Sequence, residues 1–174
     1  MVYINSSTLI VNDNSQHCIE TFDVTAIEMR DYAGVCGTRG YQLTGHRIDN
    51  VRLSYAMGAA FDGSQIIYSS SSGGDRKVII GINMMSDMVH EVCDTDGMLT
   101  TSLMFDQSSQ ALFVSLAHAI GIVNISTEEF TILSGSATSG ASTGHLKTTE
   151  YSSPFRVLQV NASTLLVADR YNDR

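Results

Sequence analysis

Five histidines, three cysteines and three Asn-x-Ser triplets are the residues of this 174-residue chain whose types could do chemistry. His46 and His145 each close a Thr-Gly-His triplet. Imidazoles presented from two such loops could contribute to a zinc site, which needs three protein ligands and an open position to be catalytic. The intervening stretch "CDTDG" supplies Asp94 and Asp96 but no histidine. It also lacks the later bidentate glutamate of a calcium loop, so a plain turn is the simpler reading. His46 and His145 read more simply as polar loop residues, and His90 and His118, in or beside apolar runs, as structural ones. The chain has no nucleophile elbow, no His-Glu-x-x-His and no phosphate-cradling glycine loop. "SSSSGG" (69–74) reads as a flexible turn. No catalytic constellation is recognised, so an enzyme is not the expectation, and no cofactor is implied.

Cys18, Cys36 and Cys93 show neither a Cys-x-x-Cys pair nor a metal-ligand spacing. One disulfide with a thiol left over fits them, and so do three thiols. Asn5, Asn124 and Asn161 head the triplets Asn5-Ser6-Ser7, Asn124-Ile125-Ser126 and Asn161-Ala162-Ser163, which are acceptor sequences for N-glycosylation. A chain this rich in Ser, Thr and Asn also produces such triplets by chance.

Ten basic residues are scattered among eighteen acidic ones, for a net charge of −8. No basic stripe could neutralise several phosphates at once, which argues against nucleic acid. No run of 18 apolar residues is present, so no membrane insertion is expected. The opening "MVYINSSTLI" lacks the charged and long apolar regions of a signal peptide.

The elements that must position these residues are short strands. Leu9, Ile66, Leu112 and Leu165 begin equivalent apolar runs, "LIV", "IIY", "LFV" and "LLV", that lie 57, 46 and 53 residues apart. Another apolar run precedes each, across a turn rich in Asp, Asn, Gly and Ser. In three copies a third and a fourth run follow. Short strands separated by such turns are hairpin signals, and four antiparallel strands per unit mark a propeller blade. The expected fold is all-β, with blades over residues 1–34, 53–93 and 102–135 and a partial blade over 153–174. The intervening linkers run over Gly34–Arg52, Asp94–Thr101 and Gly135–Ser152. The eight methionines read as core filling.

The segment "STLLVADRYNDR" resembles the second-strand motif of NHL-repeat β-propellers, with Asp169 and Asn172 at the motif spacing and Asp173 where histidine is usual. "STLIVNDNSQHCI" keeps Asp13 and His17 in register but has Gln16 in place of the asparagine. The copies near Gly63 and Ser109 keep only the apolar pattern. The resemblance implies structural roles for Asp13, His17, Asp169 and Asn172: the aspartate accepts backbone N–H groups in the turn that follows it, and the asparagine closes that turn. It also implies a six-bladed parent. The chain would then be a piece of a longer protein, in preference to two copies sharing a ring.

Propeller geometry places Asn5, Asn124 and Asn161 in turns of one face and the linkers on the other. Glycans on the first would leave the linker face to bind. The expected function is an interaction module, contacting protein or glycan, in a secreted protein or an ectodomain. The alternative is a fragment of a metal-dependent propeller enzyme of the amidating-lyase or lactonase sort, because amidating lyases, six-bladed relatives in this resemblance, hold a central metal through histidines.

Overall fold

The computed structural model describes residues 1–73, 75–161 and 163–174, which form two compact units, Met1–Gly97 and Met98–Arg174. Every sheet is antiparallel. No α-helix occurs among the described residues, and none of their helices is long and apolar enough to cross a membrane.

In the first unit one sheet is the meander β1 (Val2–Tyr3), β2 (Thr8–Asp13), β3 (Cys18–Asp23), β4 (Glu28–Ala33). The second contains β5 (Gly45–His46), β6 (Met57–Phe61), β7 (Ile66–Gly73), β8 (Arg76–Asn83) and β9 (Met88–Asp94), in spatial order β5-β9-β8-β7-β6. The two sheets share one core. Ile10 and Ile19 from the first meet Ile67, Ile80 and Ile82 from the second, with Leu53 from the linker among them, all fully buried. Each such side chain contributes on the order of 1.5–3 kcal/mol relative to exposure. The Asn12 amide donates across the sheets to Gly58 O at 2.9 Å and to Ser69 Oγ at 2.6 Å.

The second unit begins with the meander β10 (Thr100–Asp106), β11 (Ala111–Leu116), β12 (Ala119–Asn124), β13 (Glu129–Gly135). A two-stranded sheet follows, β14 (Pro154–Asn161) and β15 (Thr164–Asp169), and then one 3-10 turn over Arg170–Asn172. Thr101 Oγ1 donates to Pro154 O at 2.7 Å and joins the two sheets.

One turn chemistry recurs at the same end of each sheet. In the first-to-second-strand turns, the side-chain Oδ1 of Asn5, Asp62, Asp106 or Asn161 accepts the backbone N–H two residues on, at 2.8–3.1 Å. In the third-to-fourth-strand turns, Asp23, Asn83 and Asn124 do the same, at 2.8, 2.9 and 2.9 Å. These are Asx turns, in which a short polar side chain takes the place of a backbone acceptor. The third-to-fourth turns each end on a left-handed residue, Ile27, Asp87 or Glu128, with φ of +57°, +58° and +58°.

Two stretches depart from the sequence reading. Ser69–Ser72 and Gly73 belong to β7 and are not a flexible turn; Gly74 lies outside the described residues. All four serines are buried. Three of the four hydroxyls find partners distant in sequence: Ser71 Oγ accepts Ser54 N–H at 3.1 Å, Ser69 Oγ accepts the Asn12 amide, and Ser70 Oγ donates to Met57 O; the Ser72 hydroxyl has none among the described residues. Gly45–His46, read as linker, adds a fifth strand to the second sheet, with Gly45 opposite Val89 and His46 opposite Met88.

The turn at Asp106 generates a pH prediction. Hydroxyl donation from Ser109 at 2.6 Å, together with bonds from Ser108 and Gln159, outweighs burial and pulls the Asp106 carboxyl down to about 2. A carboxyl depressed below its unfolded value, about 3.9, contributes stability in full above about pH 4 and loses it as pH falls toward about 2. Asp106→Asn, which keeps the amide acceptor used at Asn5 and Asn161, is expected to flatten part of the acid-side fall in melting temperature. An acid limb identical to that of the wild type would contradict this role.

Candidate functional site

The linker Gly34–Arg52 is the most elaborately built surface segment of the first unit, and local chemistry explains each of its turns. Gly34 leaves β4 at φ +82°, and a Cβ there would sit 3.2 Å from the Leu53 side chain and 3.3 Å from His17 O. Its N–H donates to Arg47 O at 2.7 Å. Cys36 is joined to Cys18 at the head of β3 by a disulfide, with 5.0 Å between the Cα atoms and a sequence separation of 18. Gly37 N–H donates to Gln16 O at 2.8 Å, and Gly40 N–H to Leu53 O at 3.0 Å. Gln42 and Arg52 exchange backbone bonds at 3.0 and 2.8 Å, closing a loop whose far end carries β5. Leu43, Val51 and Leu53 are buried beneath it.

Arg47 is the polar centre of this construction. Its Nε donates to Asp87 Oδ1 at 2.7 Å and one terminal nitrogen to Tyr32 O at 2.6 Å, while the guanidinium lies 4.2 Å from the centre of the Tyr32 ring. The Arg47 bond holds the Asp87 carboxyl below its ordinary value. Burial pushes the Tyr32 phenol up, with the Arg47 charge opposing. A planar guanidinium can satisfy a carboxylate, a carbonyl and an aromatic face together, which an ammonium cannot do in this geometry.

Three residues beyond the linker, Tyr55 is in left-handed backbone at φ +50°. Its N–H donates to His17 Nδ1 at 3.2 Å, and the two rings meet edge to face at 5.0 Å. His17, itself at φ +60°, thus buttresses the linker. Asp13 caps its own turn, accepting Gln16 N–H at 2.9 Å and Ser15 Oγ–H at 2.7 Å, and these bonds lower its carboxyl.

In the second unit Asp169 is buried and acts differently from the sequence reading. Its Oδ1 accepts Ser152 N–H, from the preceding linker, at 2.8 Å, and its Oδ2 accepts the Asn172 amide at 2.6 Å and Arg174 Nε at 3.3 Å. Asn172 also donates to Gly140 O at 2.8 Å. The pair therefore staples the chain back onto the linker Gly135–Ser152, because the 3-10 turn carries the asparagine over the strand end toward that loop.

Among the described residues, neither His46 nor His145 belongs to a group of three potential metal ligands. His46 lies in β5 with Nδ1 3.3 Å from Asp49 Oδ2; His145 is exposed, its carbonyl accepting Thr148 and Thr149 N–H groups. Among the described residues, the one group of three potential donors is Glu20, Asp31 and Cys36. Its sulfur is locked in the disulfide and offers no thiolate. Cys93 is buried in β9, outside the bridge. Asn5, Asn124 and Asn161 are exposed; Ala162, inside the third triplet, lies outside the described residues. An apolar groove of about 500 Å³ in the second unit is bordered by Phe113, Ile122, Leu146, Tyr151 and Leu165.

No family model matches the chain, and no curated protein matches it in sequence. Solved structures do. The structure of a nidogen/laminin complex aligns with 94% of this chain at a TM-score of 0.67 and 17% identity. An auxiliary nutrient binding protein from Bacteroides thetaiotaomicron aligns with 97% at a TM-score of 0.56 and 13% identity. The fold is a β-propeller fold. The chain spans about half the length of these two structures, 52% and 51%.

The residues that sequence reading missed are Arg39, Tyr41, Arg47 and Tyr55. The available signal was three arginines against one aspartate between Gly34 and Arg52 in an acidic chain. Replacing Cys36 by Ser opens the constraint on the unfolded chain and is expected to lower unfolding free energy by about 3 kcal/mol, read by urea denaturation. An unchanged midpoint would mean that the linker is held without the bridge.

Proposed function

We propose that this chain is part of an NHL-like propeller in a secreted or cell-surface protein and serves as a protein-interaction module, with the linker Gly34–Arg52 as its contact surface. The observation that carries this reading is the linker itself. It is a long surface segment held rigid by a disulfide, an arginine centre and its own small core, and it bears arginines on a chain of net charge −8. Loops fixed on a rigid scaffold are where binding residues concentrate, and a local charge opposite to the net charge steers a complementary partner.

Three further observations support parts of the reading. Asp169 and Asn172 stand at the NHL motif spacing. Disulfides persist in oxidising compartments, which agrees with a secretory-pathway protein. Nidogen was solved in complex with laminin, so one protein of this fold works by binding another. The exposed apolar side chains Phe155, Leu158, Val160 and Leu166 on β14 and β15 suit a further blade of the same polypeptide packed against them.

Photo-crosslinking amino acids at Thr38 and Ile48, in the linker, are expected to form adducts with a second protein in the native setting. The same groups at Val24 and Met85, in third-to-fourth-strand turns, are expected to form none. Adducts only from Val24 and Met85 would place the contact at the other end of the sheets and overturn the reading.

A further inference from the structure

Beside the linker, Arg39, Gly40, Tyr41, Ser54 and Gly73 border a shallow cleft of about 300 Å³. That volume stands at the lower end of small-ligand pockets, roughly 300–1,000 Å³. We infer that this cleft receives a single carboxylate side chain from an acidic segment of a protein partner, with Arg39 as its anchor. The inference rests on the linker being the contact surface and names the chemistry that it recognises.

Arg39 differs from three other arginines of its unit in how its charge is used: Arg30 pairs with Glu28, Arg47 with Asp87, and Arg76 with Glu91 and Asp94, while Arg52 donates to the carbonyls of Asp49 and Val51. Among the described residues, no carboxylate pairs with Arg39. Its Nε donates to Ser54 Oγ at 3.0 Å, and its guanidinium carbon lies 4.7 Å from the centre of the Tyr55 ring. Ser54 is buried and held in turn by Ser71, so the Nε bond is made to a fixed point. Two constraints on one planar group fix its orientation, leaving the terminal nitrogens as a fork suited to a carboxylate. The ordering cost of that fork is met before a partner arrives.

The platform under Arg39 is itself strained into place. Tyr55 adopts φ +50°, uncommon for a bulky residue, and the His17 Nδ1 bond to its N–H maintains it. The opposite wall is Tyr41, whose ring closes over Gly73; a Cβ on Gly73 would lie 2.5 Å from Tyr41 Cδ2. Tyr41, 38% exposed, presents part of its ring to the cleft, while Tyr55 lies against the Arg39 guanidinium.

The charge pattern selects the partner. A polyanion such as a sulfated glycan or a nucleic acid is held by several open cations in a row. Here Arg76, 5.8 Å from the Tyr41 ring, is already neutralised by Glu91 and Asp94, and Arg52, packed beside Gly40, turns its guanidinium to the carbonyls of Asp49 and Val51. One oriented guanidinium, stacked on Tyr55 and facing the Tyr41 wall of the cleft, fits one aspartate or glutamate side chain on a peptide.

The test pans a displayed random-peptide library on the full chain and measures the selected peptides on variants. Selected peptides are expected to share one acidic position. Binding is expected to weaken at least tenfold on Arg39→Gln or when that peptide residue becomes its amide, to fall less on Arg39→Lys, and to stay unchanged on Arg30→Gln. Melting of each variant checks that the fold is retained. Peptides without an acidic preference, no selected peptide at all, or equal binding to Arg39→Gln would overturn the inference. Retention on immobilised heparin that is lost in Arg39→Gln would assign the cleft to glycan instead, and also overturn it. Linker crosslinks that persist in Arg39→Gln would sink this inference alone; absence of linker crosslinks in the wild type would sink the broader reading.

Discussion

The first unit depends on how its long linker is tied to the sheet it has just left. An irregular segment gains nothing from a ladder, and ordering it costs roughly 1–2 kcal/mol per residue in backbone entropy. That cost is offset by three kinds of tie acting at different depths. Leu43, Val51 and Leu53 are buried under the loop. The Cys18–Cys36 bridge removes freedom from the unfolded chain. Arg47 satisfies Asp87, in the turn between β8 and β9, and Tyr32 O, in β4, with one guanidinium. Because Arg47 and His17 hold both ends of the segment, the positions of Arg39, Tyr41 and Tyr55 follow.

The other ends of the sheets obey a simpler rule. A short polar residue opens each turn and accepts the N–H groups that the reversing chain would leave bare, so Asp and Asn are interchangeable there. The same rule bears on the glycosylation triplets. Asn5 and Asn161 use Oδ1 to accept N–H and hydroxyl groups of Ser7 and Ser163. Their residue types are therefore explained by the turn whether or not a glycan is attached.

The strands were legible in the sequence because each obeys local chemistry: an apolar run, bounded by turn residues, at a repeating spacing. Five features were not. Ser69–Gly73 has a turn composition, and only the partners of its hydroxyls, Asn12 and Ser54, make it a buried strand. Gly45–His46 becomes a strand because β9 offers an edge, which no local pattern encodes. Asp169 reaches Ser152, 17 residues earlier, where motif logic pointed to the following turn. The cysteine pairing waited on the approach of Cys36 to β3, and the Arg39 cleft on a stacking contact with Tyr55. Each is a non-local contact, and non-local contacts are what a single sequence least reveals.

Native-state hydrogen exchange of the linker amides tests the account most directly. Gly34, Gly37, Gly40, Gln42 and Arg47 all donate to backbone carbonyls. If the linker is part of the folded unit, these amides open only with it and exchange as slowly as those of β3 and β8. Exchange at the rate of an open loop, while β3 and β8 remain protected, would contradict a pre-formed surface and with it the functional reading.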